Sequence, residues 1–237
     1  VKILEAYNVV SIFSFESKNK EGKPYKLNST ASEPIFGYLA NKFIKIYRPH
    51  STIRFLYAGK MKQGYVFGLE QLPTRADVLY ITGGEKDVMS LVAHGFNAIC
   101  FNSETANIPK KIIKRLAIRF KHIVLLYDCD KTGVDSMEKH CKELKEYDVK
   151  SLRLPLSGTK SDKDISDFFR AGKTAKDLLT LFCSLLDALY EETMAVLKSC
   201  EIDFNNPPQR PEPLISINDV TIGSPGNLLC ITGSEGS

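Results

Sequence analysis

The chain has 237 residues, 43% of them apolar and 25% charged, with 15 Gly and 11 Pro. That balance excludes collagen-like, low-complexity and wholly disordered chains and leaves room for one or two domains with a sizeable core. The net charge of +4 is uneven, because residues 1–75 hold twelve Lys or Arg against five Asp or Glu: a basic first part suits a polyanion, and an acidic remainder suits metal or acid–base chemistry.

Residues 1–75 show no helical periodicity beyond a short start at Lys2–Tyr7. Runs of β-branched and aromatic residues (Val9–Phe15, Ile35–Tyr38, Phe43–Tyr47, Ile53–Tyr57, Tyr65–Leu69) are separated by turn chemistry such as Lys20-Glu21-Gly22-Lys23, which predicts a small, mostly β subdomain. From residue 76 the pattern changes. Strand-like Val78–Thr82 is followed by a helix over Glu85–His94 that Gly95 closes, then strand Asn97–Phe101, helix Pro109–Lys121, strand His122–Tyr127, helix Val134–Glu146 and strand Val149–Pro155. Strands alternating with helices of about ten residues predict an α/β domain over 76–172 with a parallel sheet flanked by helices, and place the ligand crevice at the carboxyl ends of the strands. Residues 173–204 read as a helical extension, with apolar periodicity over Thr174–Cys200, and 205–237 open with the proline-rich linker Asn205–Pro213. No apolar run approaches the roughly 20 residues of a membrane helix, no export signal opens the chain, and the six cysteines form no Cys-x-x-Cys pair, so a cytoplasmic protein without a membrane partner or structural zinc is expected.

The strongest chemical signal is the apolar strand Ile123–Tyr127 running into Asp128-Cys129-Asp130. If the backbone stays extended, both carboxylates project to one side off the sheet and repel unless a cation sits between them; oxygen-only ligands suit Mg²⁺ or Mn²⁺. Asp162, Asp164 and Asp167 follow the last strand, where at least one serves helix capping and another is free to join the pair. Gly83-Gly84-Glu85-Lys86-Asp87 ends the first strand, with glycines that let backbone approach a ligand and two acids in the first helical turn. A calcium loop starting at Asp128 fails, since its twelfth position is Lys139.

Taken together, strand-Gly-Gly-Glu-Lys-Asp-helix, strand-Asp-x-Asp-Lys-x-Gly-helix and strand-loop-Lys-Asp-x-x-Asp-Phe-Phe resemble the Toprim domain of topoisomerases and primases, and in particular the primase half of phage and Twinkle-like primase-helicases. Lys45–Pro49, Phe55 and Gly64–Leu69 resemble the amino-terminal subdomain of that group. The resemblance implies metal ligation by Asp128, Asp130 and Asp164, with Glu85, Asp87 and Asp128 as catalytic acids. It implies an Mg-dependent nucleotidyltransferase that makes RNA primers on single-stranded DNA from nucleoside triphosphates during DNA replication. Lys42, Lys45, Arg48, Arg54, Lys60 and Lys62 would then contact nucleic acid, with Tyr47 or Phe55 as base-stacking surfaces or as core.

The sequence departs from the family pattern at two positions: Gly83 stands where the leading Glu of Glu-Gly-x-x-Asp belongs, and Ser166 stands where the final Asp-x-Asp has its second acid. Either Glu85 takes over, or the module is a non-catalytic DNA-binding partner of a replicative helicase. A haloacid-dehalogenase-type phosphatase, with Asp128 as nucleophile and Asp130 as acid–base, is the remaining alternative. Val at position 1 and the tail Gly233-Ser234-Glu235-Gly236-Ser237 read as cut ends, the tail as the start of a phosphate-binding loop; a C-terminal helicase or ATPase domain is expected beyond it.

Overall fold

The structure is a computed structural model that describes residues 2–19, 21–60, 64–199, 215–217 and 220–223. Lys62, the 205–213 linker and the 224–237 tail named above lie outside these residues. The chain divides into two compact units, one up to Leu185 and one from Leu186.

The described residues of the first unit hold two four-stranded sheets and a two-stranded hairpin. After a short helix α1 (Lys2–Ala6), strands β1 (Val9–Ser11), β4 (Phe36–Ala40), β5 (Phe43–Tyr47) and β6 (Phe55–Gly59) form an antiparallel sheet, β2 (Ser14–Lys18) and β3 (Pro24–Asn28) a separate hairpin. The run expected over Val9–Phe15 is therefore two strands with Ile12 and Phe13 between them. The segment Tyr65–Leu69 makes a single bridge, Phe67 to Cys100, between the left-handed Gly64 and Gly68.

The second sheet is parallel, in the order β10 (Lys150–Ser151), β9 (Phe120–Leu126), β7 (Ala76–Thr82) and β8 (Ala98–Cys100). Helices α2 (Glu85–Ala93), α3 (Lys110–Ala117), α4 (Lys131–Glu143) and α5 (Ile165–Arg170) intervene or follow. Both faces of the sheet are covered, so Leu79, Tyr80, Ile81, Val124 and Leu125 are fully buried; each such side chain contributes about 1.5–3 kcal/mol. Gly95 ends α2: its N–H donates to the Val92 carbonyl and that of Phe96 to the Leu91 carbonyl, while its φ of +87° suits glycine. A final helix, α6 (Ala175–Ser199), starts in this unit and buries Leu178 and Phe182. The second unit contains the antiparallel pair β11 (Ile215–Ile217) and β12 (Val220–Gly223). Among the described residues no helix is long and apolar enough to cross a membrane.

Register sets up the chemistry. Thr82 pairs with both Cys100 and Leu126, so the segments that follow β7, β8 and β9 leave one edge at the same level.

One buried group predicts an acid sensitivity. His140 on α4 shares a hydrogen bond through Nδ1 with Tyr127 Oη (3.0 Å), and Nε2 is buried without a partner. Burial holds its pKa below the ordinary 6.5, with Glu143 pulling up and Lys139 down. The fold therefore binds fewer protons than the unfolded chain, and the stability from neutral His140 is complete above pH 6.5 and lost as pH falls through it. Thermal melts from pH 7.5 to 5.5 should show a smaller acid loss in His140→Gln than in the unaltered protein, although His122, also lowered by burial, keeps some of it. Equal acid losses would refute this assignment.

Candidate functional site

At the common edge, three aspartates from three segments meet. Asp87 sits in the first turn of α2, Asp128 two residues beyond β9 and Asp164 at the N-cap of α5, where it accepts from the Asp167 N–H (2.8 Å). One carboxylate oxygen from each lies within 4.8 Å of the others. An octahedral ion with oxygens at about 2.1 Å spreads opposite ligands about 4.2 Å apart, so small closures would let these three share one ion, and an all-oxygen donor set fits Mg²⁺ or Mn²⁺.

Two lysines each pair two of the aspartates at this edge. Lys163 Nζ lies 2.6 Å from Asp128 Oδ2 and 2.7 Å from Asp130 Oδ2; Lys86 Nζ lies 3.0 Å from Asp87 Oδ1 and 2.8 Å from Asp164 Oδ2. Burial pushes the Asp87 carboxyl up to about 6, eased by Lys86 and reinforced by Asp164, while Ser166 Oγ donates to it (2.7 Å). Ser166 thus serves the cluster through Asp87 rather than as a ligand. Burial also raises Asp128, against the hydrogen bond from Lys163. Both lysines have raised pKa values, because their aspartate partners outweigh the opposing effect of burial.

Asp130 is placed differently from the expectation. The helix begins at Lys131 rather than Val134, so Asp130 is its N-cap: Oδ1 accepts from the Gly133 N–H (3.0 Å) and Oδ2 from Lys163, whose hydrogen bond lowers its pKa. It stands outside the group of three, and Asp87 stands within it. A Cβ at Gly133 would lie 2.2 Å from the Asp128 carbonyl oxygen, so only glycine lets the first turn of α4 pack against the strand end. With Asp130 capping a helix and held by Lys163, the phosphatase alternative lacks its free acid–base.

Glu85 is also elsewhere. Its carboxylate is buried and takes Lys45 Nζ on both oxygens (2.7 and 3.0 Å) and the Tyr65 hydroxyl at 3.1 Å. Lys45 also donates to the Asn102 carbonyl (2.8 Å). This corrects two expectations: Glu85 has no free oxygen with which to replace an acid at position 83, and Lys45 is not on a nucleic-acid face. Lys42, Arg54 and Lys60 are exposed, and Arg48 is half-buried 3.8 Å from Glu33. Arg54, Phe55 and Tyr47 line a cleft of about 300 Å³ together with Gly83, Asp128 and Asp164. Tyr47 stacks on Phe55 (5.2 Å between ring centres), and Phe55 is partly exposed. Sequence reasoning missed Glu104, on the segment after β8, in the same cleft: burial first, then Asp128 and Asp130, push its carboxyl up to about 7.

The family described as Toprim-like matches residues 80–169, the segment that carries all three clustered aspartates. Residues 80–169 form a Toprim-like domain. The E. coli primase catalytic core shares 17% identity and a TM-score of 0.51 over 87% of this chain and 66% of that one. A DnaG primase catalytic domain bound to ssDNA shares 15% and 0.51 over 81% and 62%. The primase fragment of the bacteriophage T7 primase-helicase shares 15% and 0.49 over 76% and 68%. In sequence, no curated protein matches the chain. The E. coli and DnaG likenesses establish the fold, a Toprim sheet preceded by an antiparallel β region, and the chain spans less than two thirds of either structure. Within the Toprim-like domain, the acids at the sheet edge come from the first turn of α2, the end of β9 and the cap of α5.

Proposed function

We propose that the chain is the primase-type module of a primase-helicase, transferring nucleotides from triphosphates to make RNA primers on single-stranded DNA in replication. The observation that carries this reading is the convergence of Asp87, Asp128 and Asp164 from three segments onto one point of the cleft. A bound Mg²⁺ or Mn²⁺ would orient the triphosphate and neutralise charge developing at the transferring phosphorus. The three aspartates would hold that ion. Lys86, which bridges Asp87 and Asp164, and Lys163, which pairs Asp128 with Asp130, place two ammonium groups where phosphate oxygens would enter. Arg54 supplies a further cation lining the same cleft, and the partly exposed Phe55 ring a surface for a base. Exposed Lys42, in the turn between β4 and β5, and Lys60, just beyond β6, would follow template backbone, with salt-dependent affinity. The boundaries near residues 75, 172 and 204, an attached helicase or ATPase domain and a cytoplasmic setting belong to this proposal.

A second reading is a non-catalytic DNA-binding module coupled to a helicase. It is favoured by Gly83, which carries no acid, and by Glu85, which Lys45 occupies. Primer synthesis on a single-stranded template with Mg²⁺ separates the two. Labelled RNA primers should appear, and their absence alongside salt-sensitive DNA binding would establish the second reading in place of the first.

A further inference from the structure

Among the carboxylates at the sheet edge, Glu104 is bound differently from the rest. Asp87, Asp128, Asp130 and Asp164 each pair with Lys86 or Lys163, but Glu104 Oε2 is buried without a hydrogen-bond partner. A buried carboxylate oxygen left unpaired is costly, so its retention in a polar cleft marks a place where a ligand completes it.

Position 83 explains how Glu104 reaches the site. β7 and β8 end level with one another, so Gly83 and the segment carrying Glu104 cross the same rim side by side. A Cβ built on Gly83 would lie 3.2 Å from Glu104 Oε2, 3.5 Å from Glu104 Cβ and 3.7 Å from Asp128 Oδ1. The backbone at Gly83 is outside the left-handed region, so nothing in its own conformation requires glycine. A Cβ there would be slightly tight against the end of Glu104, and a longer side chain would contend with that carboxylate for the same space. The family acid that Gly83 lacks and the unpartnered Oε2 of Glu104, whose carboxylate also takes a backbone hydrogen bond from Asp128, thus border one volume.

We propose that Glu104, which like Asp130 stands outside the group of three, serves the divalent-ion site as a fourth carboxylate through a water on the ion, reaching in from the segment after β8 beside position 83. This rests on the metal-site reading above and adds an outer partner to it. Lys86 and Lys163 leave that oxygen unpaired, so a water on the ion is its natural partner.

Mn²⁺ binding to the 237-residue chain, followed by the electron paramagnetic resonance of the free ion, tests this without reference to activity. Glu104→Gln keeps the shape and removes the charge; it should weaken Mn²⁺ at least about tenfold, the low end of what loss of an outer partner costs, without lowering the melting temperature. The exchange Gly83→Glu with Glu104→Gly should bring affinity back toward that of the unaltered chain, whereas Gly83→Glu alone should weaken binding, since both side chains contend for one space. Wild-type affinity in Glu104→Gln while Asp128→Asn loses the ion would overturn this assignment and leave the metal site standing. No Mn²⁺ binding by the unaltered chain would remove both. Failure of the exchange to recover binding lost in Glu104→Gln would overturn the shared-volume argument.

Discussion

Asp128→Asn should abolish divalent-ion binding and primer synthesis while leaving the metal-free protein at least as stable as before. Asp128 is the clustered carboxylate fixed by the strand itself, two residues beyond β9, with Oδ2 2.6 Å from Lys163. Asparagine keeps the volume and one acceptor oxygen but takes away the charge that draws an ion in. The loss in Mn²⁺ affinity should exceed about 100-fold, more than removal of an outer-shell partner costs. Stability should move the other way. Burial raises the Asp128 pKa, which means that the fold disfavours its ionised form, and a neutral amide removes that cost. Asp130→Asn is the comparison: asparagine caps a helix as well as aspartate does, and Asp130 lies outside the three clustered acids, so its ion affinity should fall far less. Equal losses in the two variants, or a smaller loss at Asp128, would contradict the placement of the ion.

Much of this arrangement could be read from residues before any coordinates. The apolar runs of β7 and β9 carry no alternation because both faces are covered, and their order with amphipathic helices dictates parallel strands with a chemical edge after Thr82 and Tyr127. Asp128 was legible because it follows such a run directly. Lys45 was misread as an exposed basic contact, yet the signal was present: in an alternating strand it shares a face with Phe43 and Tyr47, and only a buried anion makes a lysine tolerable there. The start of α4 was placed three residues late because Thr132 and Gly133 are poor helix formers; the close approach of Gly133 to Asp128 and the cap by Asp130 override propensity. The β2–β3 hairpin is largely polar and half-exposed, so no hydrophobic period announces its second strand. Glu104 carries no motif at all. It lies on the segment after β8, and only the level ends of β7 and β8 bring it beside Gly83, a register that the residues alone do not announce.

Lys45→Met should destabilise the first unit by about 3–5 kcal/mol, the cost of leaving a buried charge without its partner. The Lys45 and Glu85 side chains are 3% and 1% exposed, and the ammonium makes three hydrogen bonds, two to Glu85 and one to the Asn102 carbonyl, while lying 4.7 Å from the centre of the Phe55 ring. Methionine matches the stem but leaves Glu85 with only the Tyr65 hydroxyl. Such a loss is a large part of the total stability of an ordinary domain, about 5–15 kcal/mol, and should appear as a lower urea midpoint with the slope unchanged. The double variant Lys45→Met with Glu85→Gln should recover a substantial part of it, because the second change removes the stranded charge and keeps an acceptor for Tyr65. The consequence reaches the site, since this pair joins β5 of the antiparallel sheet to the first turn of α2, two residues from Asp87. Lys45→Met should therefore also weaken Mn²⁺ binding although Lys45 touches none of the clustered acids, and the double variant should restore binding and stability together. Additive effects of the two substitutions in a double-mutant cycle would show that the pair is not what holds the two sheets in register.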